Sequence, residues 1–372
     1  MIAKEALPYK FKNEIHANEI VLLAYYIACI NVEAVYQDIV KENQYQPFDG
    51  MVLTDTFQLY EQDKDMIATL LPENSSKRNR QKNQKITVIV ANPPYSVQNQ
   101  ISYPRLDKKM KELVVDPSSA RHKSGLYDTF FRALIWSSLK IDQTNGVVAL
   151  VINNSWITSS IADEVRSFLA KTFSKIYIFD LKGDVRKTQF EKGLFDEGEN
   201  IFGQKTQTGI ALVVLVKGKV SKRGIFYATI GSGLSTHRKL GEISQIGSFN
   251  NLFAKYRYTK IAPNDQNDWI NPRIKLPDDM HRLGSKSNEA TSIFGEYTSG
   301  VKTNRDEWCI NFSKRSLGEN LKSTIDHYNS ILDRPSRLST SKRQKKKIKW
   351  DTTLETSLSR GQRARFEIQQ IR

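Results

Sequence analysis

Five short apolar runs, separated by stretches of helical spacing, constrain the fold of this chain more than any other feature. They are "MVL" (51–53), "ITVIVA" (86–91), "VVALVIN" (147–153), "IYIFD" (176–180) and "IALVVLV" (210–216). Each is rich in β-branched residues and almost continuously apolar, the pattern of strands covered on both faces. Between them, "GLYDTFFRALIWSSLK" and "SSIADEVRSFLAKTF" repeat apolar residues at helical spacing. The aromatics of the first belong to a core helix, and the second opens with Ser160 and Asp163 at capping-box spacing. Such alternation predicts an open, mostly parallel α/β sheet of the Rossmann-like kind.

The longest apolar run, "IVLLAYYIACI" (20–30), is too short to span a bilayer and predicts a buried helix. The N-terminal "MIAKEALPYKFKNEIHANEI" has neither the apolar core nor the cleavage site of a signal peptide, so the expected compartment is the cytoplasm, with no membrane part. "ENSSKRNRQKNQK" (73–85) and "DEGENIFGQKTQTG" (196–209) read as surface loops. After about residue 217 the pattern changes to short irregular runs. A boundary near 220 is expected, with an α/β domain over 1–220 and a smaller, irregular mixed region over 221–372.

Charge narrows the partners. The chain carries a net +16, and "RPSRLSTSKRQKKKIKW" (334–350) is strongly basic. Such an excess favours nucleic acid or an anionic membrane surface, with a merely solvated lysine surface as the alternative. Cys29, Cys309 and five scattered histidines form neither a zinc pattern nor a disulfide framework, so no metal is expected.

The second run ends in "NPPY" (92–95). In open α/β sheets ligands bind beyond the carboxyl ends of strands, and two prolines make a rigid turn there that presents carbonyls without competing N–H groups. An amino group on a base is a poor nucleophile because its lone pair is delocalised into the ring. The Asn92 side-chain oxygen and the Pro93 carbonyl can hold both of its N–H groups and favour the pyramidal nitrogen of a transition state. Tyr95 offers an aromatic face on which an extruded base can stack.

This motif resembles motif IV of the amino-group DNA methyltransferases. "NEIHANEIVLLAYYIACINVEAVY", "FDGMVLTDTFQ", "GLYDTFFRALIWSS", "GVVALVINNSWI" and "GVKTNRDEW" together resemble the methyltransferase portion of the type ISP restriction–modification enzymes, from residue 13 to 372. The resemblance implies a class I methyltransferase sheet followed by a region leading towards target recognition. It also implies S-adenosyl-L-methionine as cofactor, adenine N6 as acceptor and double-stranded DNA as partner. Glu19 resembles the acid that binds the cofactor ribose, with Ile20 packing against its adenine. Asp55 resembles the acid that accepts from the adenine amino group, with Phe57 as apolar neighbour. Phe202, before the strand at 210, takes the place of a second base-clamping aromatic. The plainer readings are a helix-start carboxylate for Glu19, a turn aspartate for Asp55 and a loop aromatic for Phe202.

The resemblance breaks at the family's glycine-rich motif I. No G-x-G precedes Glu19, and the "GSG" at 231–233 lies beyond the expected sheet. No phosphate loop or nuclease cluster occurs, and "RGQRARFEIQQIR" (360–372) ends where the family continues. The expectation is a methyltransferase fragment truncated at both ends, working with an upstream polypeptide that carries motif I and the helicase and nuclease regions. The alternative is a catalytically inactive DNA-binding remnant, or a subunit that needs a partner supplying motif I.

Overall fold

All five apolar runs are strands in the computed structural model, which describes residues 4–41, 44–61, 71–94, 103–120, 122–184, 197–203, 206–219, 222–273, 282–284, 292–294 and 309–332. In chain order the strands are β1 (Ala17–Glu19), β2 (Met51–Leu53), β3 (Val88–Ala91), β4 (Gly146–Asn153), β5 (Lys175–Asp180), β6 (Ile210–Lys217), β7 (Gly224–Thr229) and β8 (Thr259–Ile261). Six of them form one sheet in the order β3-β4-β6-β5-β7-β8, while β1 and β2 form a separate parallel pair.

The large sheet is mixed rather than mostly parallel. β3 runs parallel to β4 and β5 to β7, but β6 is antiparallel to both of its neighbours, and β8 is antiparallel to β7. The reason lies in the connections. A parallel neighbour needs a crossover that carries the chain back to the opposite end of the sheet, usually through a helix. The chain instead returns at the same end of the sheet, where Asp180 pairs with Ala211.

The helices are α1 (Leu7–Asn13), α2 (Leu22–Val40), α3 (Pro72–Asn83), α4 (Pro104–Met110), α5 (Thr129–Lys140), α6 (Asp163–Thr172), α7 (Thr236–Ile246) and α8 (Phe249–Lys255). α3 occupies the segment expected to be a loop. Its composition is polar throughout, but Pro72 starts it, Glu73 sits in its first turn, and Arg80 and Lys82 sit in its last. All three placements suit a helix and its dipole. At α6 the capping box does not form. Asp163 is the first helical residue, and its carboxylate accepts from Ser118 Oγ (2.7 Å), Ser119 Oγ (2.6 Å) and Ser119 N (3.0 Å).

One face of the sheet buries Val148, Leu150, Ile178 and Val213 against Leu134 and Ile135 of α5. The other buries Phe179 and Ile210 against Ile246 of α7 and Leu252 of α8. A third, smaller cluster joins Phe11 of α1, Tyr36 of α2, Phe48 and Met51. α2 is a helix as expected but not a buried one, since its only buried side chain is Tyr36.

β7 and β8 carry the sheet past residue 220, and the first compact unit runs Met1–Lys275. The second, Leu276–Arg372, contains a parallel pair, β9 (Arg282–Gly284) and β10 (Ser292–Phe294), and helix α9 (Lys314–Leu332). The basic run at 334–350 and "GVKTNRDEW" lie outside the described residues. Among the described residues no helix is long and apolar enough to cross a membrane.

Candidate functional site

Glu19 ends β1, Asp55 follows β2 and Asn92 follows β3, so each stands at or just past the carboxyl end of its strand. This is where side chains escape the sheet and can meet a ligand. Glu19 Oε1 accepts from the backbone N–H groups of Ile20 and Val21, both at 2.8 Å. The carboxylate is thereby fixed at the start of α2, where the helix dipole favours negative charge. Its Oε2 has no hydrogen-bond partner among the described residues. Ile20, 62% exposed, stands beside it with an open apolar surface.

Asp55 Oδ1 accepts from the Phe57 N–H at 2.9 Å, and Oδ2 accepts from the Tyr103 hydroxyl at 2.7 Å. A carboxylate offers about four acceptor positions, so this one keeps capacity for a ligand donor. Burial raises the Tyr103 phenol above its ordinary pKa, and the hydrogen bond to Asp55 raises it further. Tyr103 is therefore a protonated donor that orients Asp55. Phe57 is buried, edge-on to Tyr103 with ring centroids 5.3 Å apart. It is a core wall behind Asp55 and not an open platform. Asn18 Nδ2 reaches Thr56 Oγ1 at 3.4 Å, which brings the turns carrying Glu19 and Asp55 together.

At the end of β3, Asn92 and Pro94 are exposed while Pro93 is buried. The buried ring anchors the turn and leaves the asparagine at the surface. Tyr95 lies outside the described residues. Phe202 is exposed on the approach to β6, and its N–H donates to Asn200 Oδ1 at 2.9 Å. Asn200 is itself buried, and its Nδ2 donates to the carbonyls of Gly183 (3.1 Å) and Thr208 (2.8 Å). Asn200 therefore sets the conformation from which Phe202 projects.

Sequence reasoning missed Tyr103, 48 residues from Asp55, and a polar knot at the carboxyl ends of β4 and β5. Asn154 Nδ2 donates to Asp180 Oδ1 at 2.8 Å, and the Tyr227 hydroxyl donates to Asp180 Oδ2 at 2.9 Å. Gly209 is required beside this knot, because a Cβ there would lie 2.4 Å from the Asn154 amide. The signal was present in "INNSW" and "IYIFD", where polar residues follow buried strands. The "GSG" turn follows β7 and leads into α7, so it lies inside the sheet's span. Glu199 Oε2 already accepts from Thr236 N at the start of that helix (2.8 Å). An acid placed there opposes an anionic ligand.

With this geometry in place, comparison with known proteins is informative. Residues 10–185 match the family model described as Eco57I restriction-modification methylase, and residues 292–372 match the Type ISP C-terminal specificity domain. The fold is similar to that of the ATP-dependent Type ISP restriction-modification enzyme LlaBIII bound to DNA, at 37% identity and a TM-score of 0.81. That match covers 89% of this chain and 22% of the other. A nuclease-deletion mutant of the Type ISP enzyme LlaGI, in complex with a DNA substrate mimic, matches at 34% identity and a TM-score of 0.85, over 99% of this chain and 30% of that one. A DrdV–DNA complex matches at 28% identity and 0.78, over 90% and 33%. The chain thus spans less than a third of the length of the two Type ISP relatives. No curated protein matches it.

Proposed function

We propose that this chain, which belongs to the methylase and specificity portion of the type ISP restriction–modification enzymes, holds a target adenine of double-stranded DNA for methylation at N6. The observation that carries the reading is that Glu19, Asp55 and Asn92–Pro93 each stand at or just past the carboxyl end of a strand in one compact unit. S-adenosyl-L-methionine, when bound, supplies an electrophilic methyl group.

The residues present fit the nucleoside half of that cofactor. Glu19 keeps Oε2 for a ribose hydroxyl, Ile20 offers an exposed apolar face to adenine, and Asp55 accepts from an amino group while Tyr103 holds it in place. On the DNA side, the Asn92 oxygen and the Pro93 carbonyl accept the two N–H groups of the adenine amine. They act most strongly as the nitrogen becomes pyramidal and its protons more positive. Tyr95 and Phe202 stack on the extruded base, a contact worth roughly 1–3 kcal/mol per base. The glycine-rich motif I, and with it the cradle for the methionine end, comes from an upstream polypeptide that also carries helicase and nuclease regions.

The test is transfer of labelled methyl from S-adenosyl-L-methionine to duplex DNA, with the glycine-rich segment supplied. Asn92→Ala is expected to lose about 100-fold or more in turnover, the scale of one removed transition-state hydrogen bond. Its melting temperature and cofactor affinity should stay unchanged. Wild-type turnover in a well-folded Asn92→Ala protein would sink the reading. Duplex binding with no transfer by the wild type would mark the chain as the inactive DNA-binding alternative.

A further inference from the structure

Lys239, in the first turn of α7, is fully buried. A lysine is almost never buried without partners, and burial lowers its pKa below the ordinary lysine value while the carboxylates of Glu197 and Asp180 oppose the shift. Its Nζ donates to the Leu181 carbonyl at 2.7 Å and to the Glu197 carbonyl at 2.9 Å. Leu181 directly follows β5, and Glu197 lies on the approach to β6. One ammonium therefore ties the chain that leaves β5 to the chain that leads into β6. The same two stretches meet again beside it, where Gly183 N donates to the Glu197 carbonyl (3.1 Å) and Asp184 N to the Glu197 carboxylate (3.1 Å).

The start of α7 grips the next residues of that approach. Thr236 Oγ1 donates to the Asn200 carbonyl at 2.8 Å, and Glu199 N donates to the Leu234 carbonyl at 3.0 Å. Gly198, at φ +63°, makes this fit possible, because a Cβ there would lie 2.4 Å from the Leu234 oxygen. Asn200 then receives the Phe202 N–H, yet the Phe202 side chain stays 45% exposed. The backbone is held and the ring is open. Ile210, at the start of β6, pairs with Asn153 at the end of β4, and Ala91, at the end of β3, pairs with Leu150. β6 thus starts at the end of the sheet where β3 finishes, two strand spacings away, about 10 Å.

We propose that Lys239 is a positioning residue for the base clamp: together with Thr236 it locks the backbone that carries Phe202, so that the ring is in place before an extruded base arrives. Ordering a loop at the moment of binding costs free energy that a preformed loop does not lose. Lysine suits the task because its ammonium has three donors and its stem is apolar, so it can cross a core and still serve two carbonyls. An apolar residue at 239 would leave the Leu181 and Glu197 carbonyls without that donor, and buried acceptors without donors are costly. The role in turnover rests on the methyltransferase reading; the locking of Phe202 does not.

Two variants of the full chain test this. Lys239→Met keeps the apolar stem and removes the ammonium, and Thr236→Val removes the hydroxyl donor at the half-buried helix start. Amide exchange at Phe202 and Gly203 is expected to quicken about tenfold or more in Lys239→Met and about threefold in Thr236→Val, with exchange in β4 unchanged. With the glycine-rich segment supplied, single-turnover methyl transfer to a plasmid lacking adenine methylation should slow about tenfold or more in Lys239→Met, the scale of one lost base–aromatic stack. Cofactor affinity should not change. In a Phe202→Ala background, Lys239→Met should slow transfer no further. Unchanged exchange at Phe202 in both variants overturns the proposal. So does an equal slowing by Lys239→Met with and without the Phe202 ring, which would make the lysine a general support of the fold. If Lys239→Met does not fold, Thr236→Val carries both comparisons. No transfer by the wild type, or wild-type transfer by Phe202→Ala, sinks the methyltransferase reading or its stacking contact and with it the role in turnover; faster exchange at Phe202 then still upholds the lock.

Discussion

The interior of the central sheet and its β3 edge are built from the same kind of residue and end in opposite states. β4 and β6 are valine- and leucine-rich, and their inward positions reach 0% exposure. β3 has the same chemistry, yet Val90 is 78% exposed. The difference is one of neighbours. β4, β6, β5 and β7 each have a strand on both sides, whereas among the described residues β3 pairs with β4 alone and is covered on one face. Apolar content makes a strand; pairing on both edges makes a core.

The contrast can be broken most strongly on the closed side. Arg166 is fully buried, and its Nη2 donates to Asp268 Oδ1 at 3.1 Å, while Arg273 Nε donates to both oxygens of the same carboxylate. Asp268→Ala leaves a buried guanidinium without its counter-charge and is expected to destabilise by about 3–5 kcal/mol, read by urea denaturation. Ile178→Ala, at a fully buried position of β5, is expected to cost about 2–5 kcal/mol. Val90→Ala, the matching deletion on the open strand, should stay within about 0.5 kcal/mol. Equal costs for these two would mean that the β3 edge is covered in solution.

The pH dependence sharpens the same comparison. Burial alone would raise the Asp163 carboxyl, but hydrogen bonds from Ser119, Ser118 and the backbone outweigh it and hold the pKa below 3.8. A carboxyl depressed in the folded state adds stability above its unfolded pKa and loses it as pH falls through the folded value. Melting temperature is therefore expected to drop as pH falls from about 4 downward. In Asp163→Asn the overall stability is lower and the fall shallower. The smallest effect is expected for Leu23→Gln on the exposed face of α2, within about 0.5 kcal/mol. A large loss there would show that this face packs against something in the isolated chain.

Much of the candidate site was legible because it is local. Asp55 and Asn92 stand just after the apolar strands β2 and β3, and the end of a strand is written in the few residues around it; Glu19 ends the polar strand Ala17–Glu19 and was legible only through the resemblance. The partners that orient them were not legible. Tyr103 meets Asp55 across 48 residues, and Asn154 meets Asp180 across 26. Phe57 was an apolar neighbour by sequence and proved a buried core residue, because Tyr103 and Trp136 close over it.

The sequence by itself determined that strands lie within 51–53, 86–91, 147–153, 176–180 and 210–216, to within a residue or two of those observed, and that "NPPY" begins where one of them ends. Periodicity and β-branching act within a few residues, so no distant partner is needed to read them. Only the tertiary structure decided that β6 runs antiparallel, that the polar segment after Leu71 is a helix whose Asn74 side chain bonds Leu53 of β2, and that Asp163 holds two serines instead of a capping box. It also decided that the longest apolar run of the chain leaves one side in solvent. Each of these depends on what stands across a contact dozens of residues away, and burial is a property of the pair, not of either residue alone.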